Sequence, residues 1–77
     1  MLEVSLLTPK EVIFEGNASS IIVPGEEGVF EVQPFHKQIL SRLISGVLFI
    51  DEQSFSVQRG IINVNQNKVT IIIEEAQ

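Results

Sequence analysis

Apolar and polar residues alternate in short runs along most of the chain, and this alternation constrains the fold more than any other feature. Successive side chains of a β-strand point to opposite faces, so an alternating run predicts a strand with one buried face. Proline, glycine and asparagine separate the runs at near-regular spacing, which favours an all-β sandwich or barrel. The predicted strands, eight or so in number, cover residues 2–6, 11–15, 19–23, 29–32, 47–50, 54–58, 61–64 and 68–73.

The breaks between the runs predict where the chain turns. Gly16-Asn17 is expected to end the second strand, and Pro24-Gly25 suits a tight turn after the third. Residues 36–44 are less regular, because their apolar residues at 39, 40, 43 and 44 have the spacing of a helical face. This segment is predicted to be irregular or a further strand, with a helical turn as the alternative.

Two of the predicted strands are apolar on both faces. Ile72 lies opposite the face that Val69, Ile71 and Ile73 share, and residues 47–50 contain no polar residue at all. A strand with one solvated face would alternate with polar residues. Either the second face is covered within the sandwich, or it docks on another subunit.

Composition and charge narrow the function. The chain has 77 residues, no cysteine and a formal net charge of −5, so it is predicted to form one domain over residues 1–77 without disulfides or thiolate metal sites. Five basic residues among ten acidic ones argue against binding to nucleic acid or anionic lipid. No apolar run is long enough for a membrane helix, and the first residues do not form a signal peptide, which predicts a soluble intracellular chain.

Candidate catalytic groups are sparse. His36 is the only imidazole, and no serine has the context of an activated nucleophile. The adjacent carboxylates of Glu26 and Glu27 are expected to face solvent on a turn, and they would repel phosphate from the flanking glycines. No metal-ligand spacing is present, so neither catalysis nor a cofactor is expected.

Six fragments of the sequence occur in a characteristic order. They are Leu7-Thr8-Pro9, Val12-Ile13-Phe14-Glu15-Gly16, Ile22-Val23-Pro24-Gly25-Glu26-Glu27-Gly28, Pro34-Phe35-His36, Gly46-Val47-Leu48 and Asn67-Lys68-Val69-Thr70. In order and spacing, the chain from Leu2 to Ala76 resembles one family, the N-terminal domain of the F-type ATP synthase epsilon subunit.

This resemblance implies a β-sandwich of about ten short strands that serves as a non-catalytic rotor subunit. Such a domain sits in the central stalk, between the gamma subunit and the membrane-embedded ring of c subunits, during proton- or sodium-driven ATP synthesis. It would be peripheral on the cytoplasmic face of the bacterial inner membrane, without inserting into it. By position, the loop that would face the c-ring contains Glu26, Glu27, Val29, Glu31 and His36, and the surface that would face gamma contains Leu40, Val47 and Ile72.

The chain also departs from the family pattern. Glu31, Phe35 and Arg59 replace residues that are commonly glycine or small, and Gln33 and Gln38 replace a hydrophobic residue and a proline. Since glycine permits positive φ at little cost, the backbone near residues 31, 35 and 59 is expected to differ or be strained. The sequence stops where the family's C-terminal two-helix hairpin begins, in a natural short form or a truncated chain, so inhibition and nucleotide binding are not carried over from the resemblance.

Two other functions remain open at this point. A small ligand- or protein-binding β-domain unrelated to ATP synthase could bind sugars or peptides, although phenylalanine is its only aromatic residue type. A hydrolytic enzyme would depend on His36. A ligand-induced shift in Tm would favour the former, and loss of activity in His36→Ala the latter.

Overall fold

The strand prediction is confirmed by a computed structural model, which describes residues 1–75. Within that range the chain forms nine strands, where about ten were expected. They are β1 (Leu2–Leu7), β2 (Val12–Ala18), β3 (Ile21–Gly25), β4 (Gly28–Val32), β5 (Ile39–Leu43), β6 (Gly46–Ile50), β7 (Gln53–Val57), β8 (Arg59–Asn65) and β9 (Lys68–Glu74). The alternation of buried and exposed residues in β1, β8 and β9 follows the sequence pattern.

All nine strands belong to one hydrogen-bonded sheet, which folds over into two layers. The first layer has the order β2-β1-β9-β8-β5, and the second contains β3, β6 and β7 with β4 paired to the other side of β3. The layers are joined at the pair Gly25↔Leu43, where Glu26 N–H donates to Arg42 O and Ile44 N–H donates to Pro24 O. The strands β1 and β9 are parallel, whereas the other pairs are antiparallel.

The core lies between the layers and is entirely apolar. Leucine, isoleucine and valine from both inner faces are almost completely buried, and burial of each contributes about 1.5–3 kcal/mol. The first layer supplies Leu2, Val4, Leu6, Ala18, Leu43, Ile62, Val64, Val69, Ile71 and Ile73, and the second supplies Ile21, Val23, Val32, Leu48, Ile50 and Val57.

Two contacts close the side of the sandwich opposite the Gly25↔Leu43 junction. The Phe14 and Phe55 rings, on the edge strands β2 and β7, meet edge to face with centroids 6.3 Å apart. At the end of β6, the Asp51 carboxylate accepts hydrogen bonds from Ser19 N–H and Ser20 N–H, each at 3.0 Å, while Asp51 N–H donates to Ser20 O. These contacts hold the β2–β3 connection against the β6–β7 turn.

Two boundary predictions are wrong. Gly16 and Asn17 lie inside β2, because the chain continues to pair with β1 through Gly16↔Val4 and Asn17↔Glu3. Pro24 and Gly25 lie inside β3, and the turn falls two positions later, at Glu26-Glu27. Proline is tolerated there because its nitrogen points toward the gap where β3 changes partner from β6 to β5.

The irregular segment 36–44 contains the strand β5 and no helical turn. Leu43 is buried, whereas Leu40 is exposed and Ile39 only partly buried. The helical spacing of its apolar residues therefore reflects two positions that pack on the core, Ile39 and Leu43, and two exposed ones, Leu40 and Ile44.

The β3–β4 turn generates a prediction for stability. A Cβ added at Gly25 would lie 2.6 Å from the Phe30 ring and 2.8 Å from Gly28 O, so Gly25→Ala should destabilise the fold by about 1–3 kcal/mol. In thermal unfolding, Tm should fall by at least about 4 °C. At Gly16 the same Cβ meets only the Phe14 ring at 3.6 Å, so Gly16→Ala is the matched control and should stay near the wild-type Tm. Equal Tm values for the two variants would contradict the tight packing of this turn.

Candidate interaction surfaces

The acidic turn Glu26-Glu27 is held rigidly at one end of the second layer. Gly25 and Gly28 face each other across it, and Gly28 has φ of 133°, a conformation that favours glycine. Both carboxylates are exposed, and they border a shallow groove whose opposite wall contains Leu40, Arg42 and Ile61 of the first layer. The turn therefore presents two negative charges beside apolar surface.

The predicted loop from Glu26 to His36 is largely an edge strand. Val29 and Glu31 lie in β4, which pairs only with β3, and the Glu31 carboxylate accepts a hydrogen bond of 2.6 Å from Ser20 Oγ. His36 follows the far end of β4, where its Nδ1 lies 2.7 Å from Lys37 O. A carbonyl oxygen only accepts, so Nδ1 carries the hydrogen. The structure thus groups Val29 with the acidic turn and separates it from His36.

A second turn at Pro34-Phe35 contains an unusual backbone conformation. Phe35 has φ of 67°, and His36 N–H donates to Gln33 O at 3.1 Å, the pattern of a type II turn with proline at its second position. A residue with a Cβ adopts this left-handed region at a cost of about 1–2 kcal/mol. Of the three positions where strain was expected, only Phe35 has positive φ, because residues 31 and 59 lie in strands.

Asn67 holds the Phe35 turn in place. Its side-chain Oδ1 accepts a hydrogen bond of 2.6 Å from Phe35 N–H, and its main-chain oxygen accepts one of 2.8 Å from Glu3 N–H. Asn67 itself has φ of 65° in the β8–β9 turn, a conformation that asparagine adopts more readily than most residues. One asparagine therefore connects the β8–β9 turn, the start of β1 and the segment after β4.

The outward side of the first layer contains a row of apolar side chains that crosses four strands. Register aligns Val12 with Leu7, Leu7 with Ile72, and Ile72 with Ile61, so these side chains lie side by side on one face. Leu40 lies on the same outward side of the neighbouring strand β5. It pairs with Asn63, and Arg42, two residues later, pairs with Ile61. We call these five residues, Val12, Leu7, Ile72, Ile61 and Leu40, the first outer face.

Several apolar side chains of the first outer face are about half exposed or more. Leu40 is 73% exposed, Ile61 50% and Ile72 47%. Arg42 lies beside Ile61, and the exposed guanidinium of Arg59 pairs with the Glu74 carboxylate at 2.6 Å. Exposed ion pairs contribute at most about 1 kcal/mol to the stability of a fold. These charged side chains therefore form a polar rim around the first outer face and add little to the stability of the domain.

Val47 lies on a different surface from Leu40 and Ile72. It projects from β6 away from the core side that Leu48 and Ile50 occupy, and Phe49 and Ile22 share its outward side through the pair Ile22↔Phe49. The predicted gamma-facing residues therefore divide between the outward sides of the two layers. Sequence reasoning omitted Ile61, Leu7 and Val12, although the adjacent isoleucines 61 and 62 already indicated a strand that is apolar on both faces.

The described residues bring together no cluster of three or more histidine, cysteine, aspartate or glutamate side chains that could hold a metal ion. Within residues 1–75 the structure contains no helix that is long and apolar enough to cross a membrane. What the geometry does offer is an apolar face with a charged rim, an acidic turn and a rigid aromatic turn, which are features of protein–protein contact.

Comparison with known proteins identifies the family. Residues 1–77 match the family described as ATP synthase, Delta/Epsilon chain, beta-sandwich domain. The chain is 38% identical over 80 residues to a protein of Nitratiruptor named ATP synthase epsilon chain, covering 97% of this chain and 62% of that protein. It is 30% identical over 78 residues to a Chlorobium limicola protein of the same name, covering 95% of this chain and 89% of that one. The chain belongs to the delta/epsilon β-sandwich family of ATP synthases, so the alternative of an unrelated β-domain is not favoured.

A solved structure supports the fold independently. The central stalk and c-ring assembly of Tetrahymena thermophila mitochondrial ATP synthase contains a chain that superposes with a TM-score of 0.82 at 24% identity, over 96% of this chain and 63% of that one. The chain spans 62% of the length of the first curated relatives that it matches. At 24% identity the superposition shows the fold alone.

The role of Asn67 can be tested by substitution. Asn67→Ala removes the acceptor for Phe35 N–H and places alanine at positive φ, so the free energy of unfolding should fall by about 1–2 kcal/mol. Chemical denaturation measures this directly. Asn65→Ala, at an exposed strand position two residues earlier, should change stability by less than about 0.5 kcal/mol. Equal effects at 65 and 67 would show that Asn67 does not organise this end of the domain.

Proposed function

We propose that residues 1–77 act as a non-catalytic rotor domain of an F-type ATP synthase, which joins the central stalk to the membrane ring. The observation that carries this proposal is the first outer face, a continuous apolar row on the outward side of the first layer in a chain of this family. Exposed apolar rows of this kind mark protein interfaces. The domain has no catalytic task in this proposal and acts only by binding two partners at once.

The first outer face is the proposed contact with the gamma subunit. Leu40 and Ile72 lie on it together with Ile61, so one partner surface can cover all three. Val47 lies on the outward side of the second layer, with the core between it and the first outer face. A partner that covers the first outer face as one flat surface therefore does not reach Val47. Of the gamma-facing residues expected from the sequence, the proposal therefore keeps Leu40 and Ile72, adds Ile61, and omits Val47.

The acidic turn is the proposed contact with the c-ring. Glu26, Glu27 and Val29 lie together at one end of β4 and are exposed, whereas Glu31 is hydrogen-bonded to Ser20 and His36 lies beyond the other end. Negative charge suits the basic polar loops that the resemblance leads us to expect on the ring. Contact with that ring would place the domain at the cytoplasmic face of the bacterial inner membrane, bound to protein and not inserted in lipid.

Binding to purified gamma subunit tests the first contact. The wild-type domain should co-elute with gamma at micromolar concentration, and Ile72→Glu should weaken binding by about 30-fold or more, because the interface would bury an unpaired charge. Since Ile72 is 47% exposed, the variant should still fold cooperatively. Thr70→Glu, on the outward side of the same strand, is the control for added charge and should have a smaller effect. No complex with wild-type protein would contradict the proposal.

Binding to the isolated c-ring tests the second contact. Reversing charge in Glu26→Lys/Glu27→Lys should weaken binding several-fold at low salt, and the difference should shrink as ionic strength rises, because salt screens exposed charges. The double variant Glu3→Lys/Glu15→Lys makes the same change in net charge on the outward side of the first layer. If both double variants weaken binding equally, net charge and not the acidic turn governs the contact.

A further inference from the structure

Phe35 combines two features that oppose folding. Its side chain is 89% exposed, so it gains almost nothing from burial within the domain. Its backbone has φ of 67°, a conformation that side chains with a Cβ disfavour. Glycine at this position would relieve the backbone and remove the exposed ring, so folding alone does not explain a phenylalanine here.

The other residues with positive φ provide the contrast. Asp51 uses its side chain to bind the backbone at residues 19 and 20, and Asn67 uses its own to bind Phe35. Gln66 occupies the two-residue turn between β8 and β9, where the hairpin requires positive φ. Phe35 alone among these positions is a large apolar residue, and its ring has no comparable task within residues 1–75.

The surrounding structure fixes the backbone from which the Phe35 ring projects. Pro34 presets the turn, His36 N–H closes it on Gln33 O, and the Asn67 side chain holds Phe35 N–H at 2.6 Å. An aromatic side chain on a rigid turn loses little conformational freedom when it is buried by a partner, which is the property of an interface anchor. Backbone strain that the fold maintains in this way points to a function for the residue.

We propose that Phe35 is an aromatic anchor that inserts into an apolar pocket on the same partner protein that covers the first outer face. The Asn67 side chain joins the Phe35 backbone to the tip of the β8–β9 hairpin, and that hairpin carries Ile61 and Ile72 on its outward side. A partner seated on those isoleucines reaches the tip by extending along the hairpin. This inference rests on the proposed function, since it names a further contact with the gamma subunit.

The variant Phe35→Gly separates folding from binding. Because glycine accepts positive φ, its Tm should equal the wild-type value or exceed it by about 3 °C, while its Kd for purified gamma subunit should rise by about 30-fold. Phe35→Tyr keeps an aromatic ring and should bind within about threefold of wild type. Gln66→Gly relieves the neighbouring left-handed position without removing an apolar side chain, and it should leave the Kd unchanged.

Each outcome decides between the claims. A wild-type domain that does not bind gamma overturns the proposed function and the anchor together. Wild-type binding that Phe35→Gly leaves unchanged overturns the anchor alone. An equal loss of affinity in Phe35→Gly and Gln66→Gly would assign the effect to loosening of the turns, and a marked fall in the Tm of Phe35→Gly would show that the ring stabilises the domain itself; either result overturns the anchor.

Discussion

The junction at Gly25 and Leu43 is the constraint on which the rest of the structure depends. It is the place where the nine-stranded sheet passes from one layer to the other, and two main-chain hydrogen bonds flank it. Folding at this point brings two apolar faces together into one core and leaves the acidic turn beside the first layer. The glycine is needed because the Phe30 ring and Gly28 O occupy the space of a Cβ. The positions of both proposed contacts follow from this bend.

Much of the fold was predictable from the sequence, because strand faces are encoded locally. The buried set in β9 is the alternating set Val69, Ile71 and Ile73, as the period of two requires. The boundaries at Gly16-Asn17 and Pro24-Gly25 were wrong because pairing with β1 and a change of partner on β3 override local turn preference. The parallel pairing of β1 with β9 joins the two ends of the sequence, and no local pattern indicates it.

The grouping of the candidate contact residues into surfaces was not predictable from the sequence. Exposure of Val47 and Ile72 follows from their position beside the buried residues Leu48, Ile71 and Ile73, whereas the irregular spacing of residues 36–44 did not indicate that of Leu40. Which of them share a surface depends on how the sheet folds over, and that places Val47 on the opposite side. The sequence identified Phe35 as a departure from the family pattern. In the structure Phe35 has a left-handed backbone conformation in a turn that is held by Asn67, thirty-two positions away in the sequence.

Hydroxyl-radical footprinting of the domain, free and bound to purified gamma subunit, tests the central claim most directly, because it reports the solvent exposure of individual side chains. The account predicts that Leu40, Ile61 and Ile72, which are exposed in the free domain, lose most of their reactivity in the complex, while Val47 on the other layer keeps its own. Unchanged reactivity at Leu40, Ile61 and Ile72, or protection confined to Val47, would contradict the assignment of the first outer face to gamma.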